Sequence, residues 1–126
     1  MLNDRGLVVL SSCGHAGIIN TLKPAQEVSG EEKIYALVGG FHLAPAPPDY
    51  LRAVMADPRK FDLEHVLPMH CSGTNFVELA KQEMPAKLVL CATGSSFTFT
   101  AWSARTLPGR RICSALPGDS GQGSPA

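Results

Sequence analysis

The sequence predicts an α/β fold, and three observations predict it. Short apolar runs that read as strands, LVVL, YALV, HVLPM and LVLC, alternate with segments of helical composition. These runs are nearly continuous rather than alternating, as in strands buried on both faces. Three of them end close to a histidine: Leu7–Leu10 before His15, Ala36–Val38 before His42, and Val66–Leu67 before His70. Loops at strand ends are where α/β proteins place chemistry, because the sheet fixes the loop and leaves it open to a ligand.

Taken in order, the first strand is Leu7–Ser11, after five polar or unpatterned residues. A chain that opens so quickly on an interior strand reads as truncated. Ser11–Gly14 is a small, turn-forming stretch. A helix is expected from Ala16 to about Val28, with Ile18, Ile19 and Leu22 on one face. Pro24 should weaken it, since its ring collides with the carbonyl four residues back, and Ser29-Gly30 ends it. The second strand is Ile34–Val38. Gly39-Gly40 then permits a sharp turn or a close approach before Phe41-His42. Pro45, Pro47 and Pro48 stiffen the connector into a short helix, Asp49–Ala56, which Asp57-Pro58 should stop. The third strand is Glu64–Leu67. Ser72 or Thr74 is placed to cap a helix from Asn75 to about Glu83. Lys87–Cys91 and Phe97–Thr100 read as fourth and fifth strands. Residues 1–102 form one domain, and 103–126, ending in PGDSGQGSPA, has the composition of a disordered tail.

Composition narrows the function. Eleven basic and eleven acidic residues give zero formal net charge, so the electrostatic footprint of a nucleic-acid binder is missing. No apolar run approaches the ~20 residues that span a bilayer. The N-terminus lacks a signal-peptide core and cleavage site, which makes cytoplasmic residence the expectation. Cys13, Cys71, Cys91 and Cys113 are widely spaced, so a disulfide framework is not expected. Cys13 and Cys71 each lie within two residues of a candidate histidine. They read first as small buried residues, with metal ligation or an activated thiol as the other readings.

Burial sets a further expectation. Parallel strands joined by right-handed crossovers place consecutive helices on one side of the sheet. Three helices cover one face and leave little chain for the other. A bare face of several hundred Å² would cost roughly 10 kcal/mol at ~25 cal/mol per Å². That is comparable to a domain's whole stability. A second layer is therefore expected from a second copy, a partner or an absent half-domain.

Imidazole is the commonest ligand of zinc and related ions. His15, His42 and His70 are 27 and 28 residues apart, about one βα unit each. That spacing allows them to converge at one rim as a metal site, or to serve as turn and capping residues. His65, inside a strand, reads as structural. Ser11 and Ser12 lack the GxSxG context of a nucleophile.

The segments GLVVLSSCGHAG, ALVGGFHL, PMHCSG and GSSFTF, in this order over residues 6–100, resemble the C-terminal half of metallo-β-lactamase-fold proteins. Within that superfamily they are most similar to the 7,8-dihydropterin-6-methyl-4-(β-D-ribofuranosyl)aminobenzene-5′-phosphate synthase-like group. The resemblance implies half of an αββα sandwich, one mixed sheet with helices on one face, and a two-metal site, zinc in type, between the sheets. It implies that His15 is a ligand of the first metal and His70 of the second. His42 stands where most of the superfamily has a bridging aspartate. Ser72 and Gly73 fall where substrate-facing backbone lies. A metal-dependent hydrolase or synthase acting on a small phosphorylated substrate is the implied activity. The superfamily's HxHxDH motif is absent from this chain, so the site is expected to be incomplete without an N-terminal half-domain. The rival expectation is a non-catalytic module that dimerises or pairs through the exposed sheet face.

Overall fold

The computed structural model describes residues 5–99. Strands β1 (Leu7–Ser11), β2 (Ile34–Gly39) and β3 (His65–Pro68) alternate with helices α1 (Ile18–Ser29), α2 (Pro48–Lys60) and α3 (Thr74–Glu83). The strands form a sheet in the order β1-β2-β3, parallel at both pairings. Ser11 stands opposite Gly39, and Gly39 opposite Pro68. All three strands therefore end at one level, and the loops that follow them share one rim.

Both faces of the sheet are apolar, as the continuous runs require. One face packs on the helices. Leu7, Val9, Leu37 and Val66 from the strands meet Ile18 and Leu22 of α1, Leu51 and Met55 of α2, and Phe76 and Ala80 of α3. Phe76 is fully buried and lies edge-on to Phe41, ring centroids 5.6 Å apart. Between Leu7 and Val8 the register of β1 on β2 shifts, so that Tyr35 is an extra residue. The bulge lets Tyr35 and Ala36 both serve the second face.

The second face corrects the expectation of a bare surface. Ala36, Val38 and Leu67 are buried there, packed against Val8, Tyr35, Met69, Val89, Phe97 and Phe99. The chain covers the centre of this face with its own residues. The reason is that 89–99 does not continue the sheet as two further strands. Leu88 makes a single parallel bridge to Val66, with Val66 N–H to Lys87 O at 2.8 Å and Val89 N–H to Val66 O at 2.9 Å. The chain then turns at Ala92–Ser95 and lays Phe97 and Phe99 against the sheet. Leu10 and Leu90 remain 75% and 56% exposed.

Two local expectations change, and the end of the first helix holds. Helix α2 runs through the Asp57-Pro58 step to Lys60, because core packing of Leu51 and Met55 within it, and of Phe61 and Leu63 just beyond, outweighs the local cost of the ring. Helix α3 begins at Thr74 after Gly73 with no side-chain cap, since Ser72 belongs to a preceding 3₁₀ turn, His70–Ser72. Pro24 sits inside α1, which continues to Ser29 and ends at Gly30 in the left-handed conformation with its N–H on Gln26 O. The tail expected over 103–126 lies outside the described residues, as does Thr100. His65 lies edge-on to Tyr35 at 5.0 Å, and its buried Nδ1 has no hydrogen-bond partner among the described residues. At the opposite end of the sheet Lys33 bonds Glu64 at 2.9 Å; that hydrogen bond and the carboxylate's charge hold the ammonium above the usual lysine range.

The packing predicts an asymmetry that urea denaturation can read. Phe76→Ala should cost about 3–5 kcal/mol, as large-to-small changes at filled aromatic sites do. Leu10→Ser, at an exposed strand position, should stay within about 0.5 kcal/mol.

Candidate metal centre

The rim at the ends of β1, β2 and β3 holds the residues with metal-binding chemistry. Gly39 and Gly40 allow the loops to close on one another. Gly39 has φ +134°, and a Cβ there would stand 1.8 Å from Ser11 O. Gly40 is buried, and a Cβ there would meet both Cys71 Sγ and His70 Cε1 at 2.6 Å. The missing side chain is what leaves room for these two groups. Gly40 N–H also donates to Ser12 O, tying the second loop to the first.

His15 and His42 sit in the loops after β1 and β2, both exposed, with ring centroids 4.2 Å apart and planes inclined by 42°. His42 has φ +53°, a left-handed conformation that costs a non-glycine residue of order 1–3 kcal/mol and that clusters at functional sites. Its backbone N–H donates to Cys71 Sγ at 3.3 Å, and the next two N–H groups, of Leu43 and Ala44, donate to Cys71 O at 3.0 and 3.1 Å. His70, exposed, follows β3, and its Nε2 lies 3.1 Å from Cys13 Sγ. Cys71 Sγ in turn faces Cys13 O at 3.5 Å. The ligand atoms of Cys13, His70 and Cys71 all lie within 4.8 Å of one another.

All three histidines singled out in the sequence thus stand on loops of the same rim, as a tilted pair and a third ring against the Cys13 thiol. The group that lies closest together contains the two cysteines. Their signal was present in the sequence as adjacency, Cys13 two residues before His15 and Cys71 next to His70. What the sequence lacked was the crossing of the chain that sets Cys13 against His70. Ser72 is buried, and its hydroxyl donates to Gly39 O at 3.4 Å. Gly73, at φ +83°, presses on Ala44, where a Cβ would meet the Cα at 2.5 Å. Both residues therefore hold the loop after β3 against the loop after β2. Two surface grooves lie away from the rim, one lined by Leu63, Val66, Met84 and Pro85, the other by Leu51, Asn75 and Leu79. One imidazole and two thiols brought together beside a glycine cradle are a donor set suited to a divalent metal ion.

Comparison with known proteins bears on the fold directly. The chain superposes on the crystal structure of a metal-dependent hydrolase of the β-lactamase superfamily with a TM-score of 0.70 and 33% identity, over 77% of this chain and 38% of the hydrolase. This chain carries part of a metallo-β-lactamase fold. In sequence, the chain is 32% identical over 73 residues to the 7,8-dihydropterin-6-methyl-4-(beta-D-ribofuranosyl)-aminobenzene-5'-phosphate synthase of Methanocaldococcus jannaschii, 58% of this chain and 25% of the synthase. An uncharacterized protein of the same organism is 32% identical over 66 residues, 52% of this chain and 24% of that protein. No family model matches the chain. The chain spans about a quarter of the length of the curated relatives it matches. Among the described residues no helix is long and apolar enough to cross a membrane.

The close approach at the rim makes its own prediction. Gly17 has φ +88° with nothing within 4 Å of a Cβ, whereas Gly39 combines a positive φ with backbone contact. Gly17→Ala should cost about 1 kcal/mol, and Gly39→Ala about 3 kcal/mol or more, in chemical denaturation. Equal costs would show that the rim is looser than the register requires.

Proposed function

We propose that this chain supplies the C-terminal half of the active site of a metal-dependent hydrolase or synthase of metallo-β-lactamase type. The observation that carries the reading is the convergence of three strand-end loops bearing His15, His42 and His70 on one rim, in a fold shared with a metal-dependent hydrolase. In this reading the three imidazoles are ligands toward a zinc-type centre completed by an N-terminal half-domain. Such an ion, when bound, lowers the pKa of a coordinated water and polarises a phosphoryl oxygen. The chain's own residues do the positioning. The Cys71 carbonyl and thiol hold the His42 loop, and the hydroxyl of Ser72 fixes the backbone around Gly73 on the side where a small phosphorylated substrate would pass. The likeness to the Methanocaldococcus synthase supports a phosphorylated substrate, since that protein is named for a 5'-phosphate product. We place the chain in the cytoplasm, the compartment its sequence fits. Exposed Leu10 and Leu90 favour a second reading, a module that pairs through its sheet face without chemistry.

Mixing the purified chain with the part of the Methanocaldococcus synthase that it does not match separates these readings. The catalytic reading expects the mixture to take up more zinc than the two parts separately and to hydrolyse a chromogenic phosphodiester, with His15→Ala and His70→Ala each removing both gains. Formation of a stable dimer by light scattering, with no gain in metal or turnover, would overturn it in favour of the pairing module.

A further inference from the structure

We propose that Cys13, His70 and Cys71 form a thiolate-rich site that holds one soft divalent ion, zinc or cadmium, within this chain alone. The inference rests on the reading of the rim as a metal centre and changes its ligands: two sulfurs and one imidazole, beside the tilted His15–His42 pair.

Geometry favours it. A tetrahedral ion with metal–sulfur bonds of about 2.3 Å and metal–nitrogen bonds of about 2.0 Å places its ligand atoms about 3.5–3.8 Å apart. Cys13 Sγ and His70 Nε2 are already 3.1 Å apart, and all three ligand atoms fall within 4.8 Å of one another. Closing on an ion needs movements of about an ångström from side chains that are half-buried or exposed. The scaffold beneath is fixed. Gly40 vacates the volume against which Cys71 Sγ and His70 Cε1 rest, and the His42 N–H points at Cys71 Sγ. An N–H donor on a ligand sulfur is the kind of outer contact that orients metal-bound thiolates.

Chemistry favours it equally. Thiolates select zinc-like ions over magnesium, which prefers oxygen. Two cysteines lose their protons as the ion enters, so two protons leave and two thiolates balance the divalent charge. Three protein ligands leave a fourth position open at the rim, the coordination of a site that accepts water or a further ligand. The two remaining histidines, exposed and with ring centroids 4.2 Å apart, stand outside this group.

Cobalt(II) titration of the full chain, kept reduced, tests this without reliance on turnover. The expected result is one equivalent of tetrahedral cobalt with a sulfur-to-cobalt charge-transfer band in the near ultraviolet, displaced by zinc and not by magnesium. Cys13→Ser and Cys71→Ser should each diminish the band and weaken cobalt binding by roughly tenfold or more, since even outer-shell losses cost that much. Cys91→Ser, at a thiol outside the group, should leave the band in place, and circular dichroism should show each variant folded. Cobalt bound with no sulfur band would overturn the thiolate site while leaving the histidine reading intact. A band that survives both cysteine substitutions, or no cobalt uptake at all, would also overturn it; the histidine reading is then decided by the paired-chain experiment alone.

Discussion

The common level at which three parallel strands end is the constraint on which the rest depends. Ser11, Gly39 and Pro68 stand side by side, and every residue with metal-binding chemistry at the rim follows one of them within four residues. Gly39 permits that register because its neighbour's carbonyl occupies the place of a side chain. Cys71 then gathers the loops, accepting N–H groups from His42, Leu43 and Ala44 while its thiol faces the Cys13 carbonyl. A slip of one residue in any strand would turn its buried residues to the opposite face and separate these groups.

The core enforces that register from both sides. Leu37 and Val66 point to the helices, while Ala36, Val38 and Leu67 point to the opposite layer. Neither set tolerates exposure, so the strands have one low-energy pairing. Helices α1, α2 and α3 add stiffness behind the loops without contributing ligands themselves. The rim is thus rigid at its base and open above, the arrangement that suits a site completed by further groups.

Much of this was legible in the sequence. Continuous apolar runs gave the three strands within a residue or two, and the runs' ends marked the histidine-bearing loops. Gly39-Gly40 read as a sharp turn or an approach to a ligand, and the approach is instead to the neighbouring loops, at Ser11, His70 and Cys71. The parts that were not legible depend on tertiary context. LVLC has strand composition, but at the sheet edge it found only Val66 to bridge, and the chain beyond turned to cover the second face with Phe97 and Phe99. Pro58 read as a stop because its local cost is visible and the continuing helix is not. Cys13 read as a buried small residue because His70, 57 residues away, becomes its neighbour only when the sheet forms.

The central claim is that folding alone, without a ligand or partner, assembles this rim. A nuclear Overhauser spectrum of the reduced, metal-free chain tests it most directly. Cross-peaks between the His15 and His42 ring protons, and between His70 Hε1 and the Gly40 α-protons, are predicted. A folded spectrum in which both contacts are missing would contradict it.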